Sequence, residues 1–319
     1  MNKQLALLAL VVATGCKKTT TEKPAEQPRP ATPEASVPWD GTSPLVIDGF
    51  ATPESVLYDS AADVYLVSNI NGAATAVDDN GYISKVSPDG RVLDAKWIDG
   101  AKDNVKLDAP KGMAIADGIL WVADITVVRR FDAVSGEPQG EVKIDGATFL
   151  NDVSAHGPHS GVFVTDSGLD AKSEPSGTDA VYDVSWKGDK VTPLIKGKDL
   201  GHPNGVLSIP DPEALAQHTG AAWVVTFGSG EIFRVDPDGK KQAVQKLPTG
   251  QLDGIVAFDG DLLVSSWEGS AIYRGKPGGE WKPIVEHIKS PADIGFDGKR
   301  RRLLIPSFQG NQLIIHPLP

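Results

Sequence analysis

Residues 252–269 read LDGIVAFDGDLLVSSWEG. A polar residue and a glycine open an apolar run, the chain turns at Asp259-Gly260, and a second apolar run follows. Asp-Gly between two short apolar runs is a hairpin signal, and runs of this length bounded by turn residues read as strands. The pattern is not isolated. Openings of the same kind stand at PESVLYD (53–59), PKGMAIAD (110–117), LNDVSAH (150–156), PNGVLSIPD (203–211) and PADIGFDG (291–298). Each leads to a second run: VYLVSNING (64–72), LWVADIT (120–126), VFVTDSG (162–168), WVVTFGSG (223–230) and LLIPSFQG (303–310). Third strands such as GYISKVSPDG, EIFRVDPDG and QLIIHPLP follow, and outer strands such as VTPLIKG and KPIVEHI end the units.

Repeats of roughly 40–55 residues, each holding up to four short strands, predict propeller blades. The fold expected is all-β, a six-bladed β-propeller with four-stranded antiparallel blades. SPLVIDGF (43–50) has no unit of its own, and the last unit lacks an outer strand. The early segment is therefore expected to complete the last blade and close the ring. No long amphipathic helix is legible. PDPEALAQH (210–218) reads as one short helical turn or a loop insertion.

The chain has 319 residues, a net charge of −11 and one cysteine, Cys16. The acidic balance and the lack of a basic block argue against nucleic acid as a partner. Residues 1–15 combine Lys3 with the apolar run LALLALVVA, a signal-peptide pattern too short to span a bilayer. The ATGC that ends it resembles a bacterial lipoprotein box, with Ala13 where leucine is usual. Residues 16–43 then read as a lipid-bearing Cys16 followed by a Pro/Thr-rich disordered tether, and residues 44–319 as the propeller. The expectation is an exported, monomeric domain on the bacterial cell envelope, with a membrane contact through the lipid alone.

The polar residues of the openings carry the chemistry. Glu54, Lys111, Asn151, Asn204, Asp253 and Asp293 form one column of the repeat. Inner propeller strands surround a central channel and start at one end of it, so these six residues, distant in sequence, are expected to meet. Glu54 and Asp253 bring carboxylates, and Asn151 and Asn204 bring amide oxygens. That is a hard-oxygen set with two negative charges. Calcium takes six to eight oxygens at about 2.3–2.6 Å in flexible geometry, so four protein donors leave room for water or substrate. Zinc would call for His or Cys; another divalent cation, such as magnesium, remains open.

With those residues in hand, the chain resembles the senescence-marker protein, gluconolactonase and regucalcin-like family of six-bladed propellers, and also calcium-dependent fluorophosphatase. The resemblance spans roughly residues 44–319. ESVLYD is similar to the family's Glu-x-Pro-x-Trp opening, with Val56 and Tyr58 departing from it. NDVSAHGPHSGVFVTD (151–166), PNGV and LDGIVAFDGDLLVSSWEG follow in the family's order. The resemblance implies Glu54, Asn151, Asn204 and Asp253 as ligands of a catalytic calcium. Sugar-lactonase members carry an arginine two residues before the first asparagine, whereas this chain has Phe149, which puts sugar lactones in doubt and implies a more apolar pocket.

The expected activity is calcium-dependent hydrolysis of a lactone, an ester or a related small molecule. The alternative is a non-catalytic metal- and ligand-binding or protein-interaction propeller. Asp253 is the candidate nucleophile or water-orienting group, with Asp293 as a further base. Lys111 is either a base or hydrogen-bond donor to substrate, or a channel residue paired with Asp293 or Asp124; the pairing is favoured. Phe149, His202 and Trp267 are the candidate substrate contacts, with Phe227 and Phe308 at equivalent strand ends. His156 and His159 fall in a turn and are expected in solvent.

Overall fold

In the computed structural model, which describes residues 39–157, 159–209 and 220–319, the apolar runs form 24 strands and no helix among those residues. The calls on the signal segment, Cys16 and the tether up to residue 38, and on PDPEALAQH, lie outside the described residues. After β1 (Leu45–Asp48), blade 1 comprises β2 (Pro53–Asp59), β3 (Val64–Asn69), β4 (Tyr82–Val86) and β5 (Val92–Asp99). Blade 2 comprises β6 (Pro110–Ala116), β7 (Ile119–Asp124), β8 (Val127–Asp132) and β9 (Pro138–Lys143). Blade 3 comprises β10 (Leu150–Ala155), β11 (Val162–Asp166), β12 (Ala180–Val184) and β13 (Val191–Lys196). Blade 4 comprises β14 (Pro203–Ile209), β15 (Ala221–Thr226), β16 (Glu231–Val235) and β17 (Lys241–Lys246). Blade 5 comprises β18 (Leu252–Phe258), β19 (Asp261–Ser266), β20 (Ala271–Gly275) and β21 (Trp281–Glu286). Blade 6 comprises β22 (Gly295–Asp297), β23 (Arg302–Ser307), β24 (Gln312–Pro317) and β1, which pairs antiparallel with β24 from Leu45 opposite Ile315 to Asp48 opposite Gln312. The early strand therefore closes the ring, as its orphan position in the repeat predicts. The chain is an all-β, six-bladed propeller of four-stranded antiparallel sheets.

The hydrophobic cores lie between blades. Leu66, Ile83 and Ile98 of blade 1 pack with Met113, Leu120, Val122 and Phe131 of blade 2. The remaining junctions repeat this arrangement, and Leu304, Leu313 and Ile315 of blade 6 meet Val56, Tyr65 and Val67 of blade 1. Fully burying one such side chain stabilises by about 1.5–3 kcal/mol, so each junction is a substantial contact and no blade stands alone. The outer strands are mostly exposed, as in β5.

The inner strands are irregular where they begin. In blade 5, Leu252 faces Ser266 and Ile255 faces Val264, so the inner strand carries one residue more than its partner. Blades 1 to 4 show the same slip at Pro53/Ser55, Pro110/Met113, Leu150/Val153 and Pro203/Val206. In blade 6, Pro291 bridges Ser307 and Gly295 pairs with Leu304, again with one extra residue. A β-bulge of this kind re-aims the side chain it carries. In blades 4 and 5 the neighbouring inner strand also approaches too closely for a side chain just after the bulge. A Cβ on Gly205 would lie 2.2 Å from Asp253 O, and one on Gly254 2.3 Å from Ile294 N. Asn-Gly and Asp-Gly thus begin strands here because the bulge turns one side chain to the axis and the next position has no room for one.

Candidate functional site

The bulges of blades 1, 3, 4 and 5 bring Glu54, Asn151, Asn204 and Asp253 to one cavity of about 260 Å³. All four are at most 5% exposed. Glu54 Oε2, Asn151 Oδ1, Asn204 Oδ1 and Asp253 Oδ1 are buried without a hydrogen-bond partner. Leaving one buried polar atom unsatisfied costs about 1–3 kcal/mol, and four of them at one cavity call for a shared partner. The asparagine amide is held in place from behind: Asn151 Nδ2 donates to Ser167 Oγ at 3.1 Å, and Ser167 Oγ donates to Pro203 O at 2.6 Å. That bond assigns the amide orientation and turns Oδ1 towards the cavity side. Among the described residues no group of three or more His, Cys, Asp or Glu is arranged to hold an ion. This quartet draws half its donors from asparagine, and its all-oxygen set suits a hard cation.

The electrostatics agree with that donor set. Burial, then the charges of Asp253 and Asp293, push the Glu54 carboxyl well above the usual carboxylate range, with Lys111 pulling the other way. Burial and Asp293 do the same to Asp253. The Trp267 indole N–H lies close enough to favour the charged form of Asp253, yet it falls short of a well-formed hydrogen bond. Buried carboxylates that repel one another are stabilised as anions by a cation placed among them.

Asp293 is not a member of this ring. Pro291 takes the place in its blade that Leu252 takes in blade 5, so Ala292 occupies the column and Asp293 the next row. Asp293 instead lines a second cavity of about 290 Å³ further along the channel, together with Asp152. Ser55 Oγ donates to Asp293 Oδ2, and burial pushes the Asp293 carboxyl up to about 7. Asp152 accepts from Val206 N at 2.7 Å and Val153 N at 2.6 Å. Both residues sit beneath the quartet.

The pairing expected for Lys111 also fails. Lys111 Nζ donates to Ala74 O at 3.0 Å and Ala109 O at 2.9 Å, and it lies 4.5 Å above the Phe149 ring. Asp124 is taken instead by Arg129 Nε at 2.8 Å and by the Ala109 amide at 2.8 Å. Burial pushes Lys111 down, opposed by the charges of Glu54, Asp124 and Asp108.

Phe149 and Trp267 line the cavity, as do Phe227 and Phe308. Trp267 meets Phe227 edge-on at 5.4 Å and Phe308 at 5.1 Å. His202 is not among the lining residues: its Nδ1 is 2.7 Å from Ser167 O and 3.6 Å from Asp179 Oδ2, which fixes it in the wall behind. His159 is exposed, whereas His156 is buried against Phe163 at 4.4 Å with Nε2 3.2 Å from Asp183 Oδ1, contrary to a solvent position. The sequence reading omitted the loops over the cavity. Residues 70–81 supply Ile70 and Ala74, residues 167–179 supply Leu169 and Ser173, and Thr75 Oγ1 donates to Ala171 O at 3.2 Å between them. Their signal is length, since the equivalent connection in blade 2 is only residues 125–126.

No family model matches the chain, and no curated protein sequence does. Solved structures share its fold. A gluconolactonase from Xanthomonas campestris superposes with a TM-score of 0.63 at 20% identity, covering 86% of this chain and 89% of that one. Virginiamycin B lyase from Staphylococcus aureus gives 0.59 at 16%, covering 87% and 100%. A luciferin-regenerating enzyme gives 0.61 at 15%, covering 86% and 98%. At these identities the likeness is one of fold: the chain shares the six-bladed propeller architecture of a gluconolactonase, a lyase and a luciferin-regenerating enzyme.

Proposed function

We propose that the protein is a calcium-dependent hydrolase of a small lactone or ester, with Glu54, Asn151, Asn204 and Asp253 as the metal ligands. The observation that carries this reading is the set of four buried oxygens, from four blades, left without partners at one cavity. When bound, calcium supplies Lewis-acid polarisation of a carbonyl oxygen. The chain's residues do the rest. Phe149, Phe227, Trp267 and Phe308 wall off water and hold the apolar body of the substrate. Asp253 serves as nucleophile, forming a mixed anhydride as the alcohol leaves, or as the group that orients a water; label found in Asp253 after single-turnover hydrolysis in ¹⁸O-water, placed there by water attack on the Asp carboxyl carbon of the anhydride, identifies direct attack. Gluconolactonases among the structural neighbours support a lactone-type substrate. Phe149 and the aromatic wall favour an apolar body over a sugar.

A second reading, a ligand-binding propeller without turnover, is favoured by one observation. Among the described residues the carboxylates lining the cavity are the two proposed ligands, so no further carboxylate base stands beside them. Calorimetric titration of calcium into the full chain and into Asp253→Asn, followed by both proteins on a panel of lactones and aryl esters, decides between the readings. Binding and turnover lost together establish the hydrolase. Binding without turnover supports the second reading. No calcium binding by the wild type defeats the hydrolase and any pocket organised by the metal.

A further inference from the structure

Lys111 is a cation built into a cavity that already has donors for another cation. It is 1% exposed, it lines the cavity, and none of the described carboxylates lies within ion-pair distance of Nζ. An ammonium has three N–H donors, and two here go to neutral carbonyl oxygens, Ala74 O and Ala109 O. Its closest competing anions are otherwise engaged. Asp124 and Asp108 are held by Arg129 at 2.8 and 3.2 Å, and Glu54 belongs to the quartet. A buried charge without a paired counterion is costly unless something of opposite sign comes to it. A divalent cation sharing the same 260 Å³ would raise that cost by like-charge repulsion. The rest of the lining, chiefly the rings of Phe149, Phe227, Trp267 and Phe308 with Ile70, Leu169 and two serines, carries no formal charge.

Resting on the metal-site reading above, we propose that Lys111 anchors a carboxylate carried by the substrate, so the substrate class is a small ester or lactone with an apolar, flat body and one anionic group. The anion lies against Nζ and the Phe149 face, the body lies among the aromatic rings, and the reacting carbonyl reaches the quartet. The Ala74 carbonyl that holds Nζ belongs to the loop over the cavity, so the anchor is positioned by the same segment that covers the bound molecule.

Phenylacetate and phenylacetamide, equal in shape and different in charge, are the probes. Each is titrated calorimetrically into the full chain, with excess calcium and separately with chelator, for wild type, Lys111→Met and Lys111→Arg. Met keeps the length and the stacking on Phe149 without the charge. The wild type is expected to prefer phenylacetate by roughly 10-fold or more, the size of a charge-assisted hydrogen bond. Lys111→Met is expected to lose that preference and to bind calcium at least as tightly as wild type, and Lys111→Arg to keep part of the preference. A preference retained in Lys111→Met, or a wild type that binds both probes alike or neither, overturns the proposal. The chelator arm separates the two readings: a wild type that fails to bind calcium yet shows a Lys111-dependent preference defeats the metal-site reading and leaves the anchor standing.

Discussion

Two adjacent rings of residues line the channel, one residue apart along the same inner strands. The upper ring is Glu54, Lys111, Asn151, Asn204, Asp253 and Ala292; the lower is Ser55, Gly112, Asp152, Gly205, Gly254 and Asp293. Each holds two carboxylates. In the upper ring one oxygen of Glu54 and one of Asp253 lack partners. In the lower ring Asp152 takes two backbone amides and Asp293 a serine hydroxyl. Hydroxyls of the second strands tie the lower ring further: Thr165 Oγ1 accepts from Asp152 N and donates to Asn204 O, and Ser265 Oγ accepts from Gly254 N and donates to Ala292 O. Neighbouring rows of the same strands thus yield a ring with unsatisfied oxygens and a ring that braces, and the difference lies in whether polar atoms are satisfied within the protein.

The sharpest way to break the comparison is to remove one charge from each ring. Asp253→Asn keeps the shape and takes half the negative charge from the upper ring. Calcium affinity is expected to fall roughly 100-fold or more, since ligand charge count tunes such sites over decades. Asp293→Asn in the lower ring is expected to change affinity by no more than about 10-fold, the low end for a group acting from behind the ligands. Titration calorimetry reads both. Equal losses would erase the distinction between the rings.

Stability against pH gives the next largest effect. In the metal-free protein Glu54, Asp152 and Asp253 titrate well above the carboxylate range and Asp293 at about 7. Their unfolded values are near 4, so the folded state holds more protons across that interval. Stability from Asp293 is fully present below its unfolded value and is lost as pH rises through about 7, and the other three carboxyls, raised in the same direction by burial and mutual repulsion, add to the loss. The melting temperature in chelator is expected to fall between pH 5.5 and 8. Calcium at a hundred times its Kd should add about 2.7 kcal/mol at pH 8, roughly 5 °C for a chain of this size. Calcium affinity itself should drop as pH falls, because the ligands must lose protons to bind. A melting temperature that rises from pH 5.5 to 8 in chelator would contradict this account.

The fold was largely legible because a propeller writes its repeat into the chain. The polar-Gly openings, the Asp-Gly turns and the unpaired SPLVIDGF segment each map onto an observed bulge, hairpin or closing strand. The misplacements have local causes. PADIGFDG offers Asp293 as its only early polar residue, and a shift of one position moves a side chain into the neighbouring ring. The sequence suggests carboxylate partners for Lys111 because only side chains are visible in it, whereas its acceptors are the backbone carbonyls of Ala74 and Ala109. His156 sits in a polar turn and folds inward because Phe163 and Asp183 offer a face and an acceptor, which neither turn composition nor spacing reveals.

The smallest effect on metal binding, and the finest test of the two rings, is Ser265→Ala. The hydroxyl lies just beneath Asp253, accepting from Gly254 N at 2.7 Å and donating to Ala292 O at 2.8 Å. Its loss leaves a buried amide and a buried carbonyl short of a partner at the blade 5 to blade 6 junction, at a cost of about 1–3 kcal/mol. The expected outcome is a clear drop in the denaturation midpoint with calcium affinity nearly unchanged, because no quartet oxygen is touched. Bracing and binding are then separable functions of neighbouring rings. A calcium affinity that falls in step with stability would mean instead that the quartet's geometry is set by the hydroxyl struts below it, and that the bulge alone does not aim the ligands.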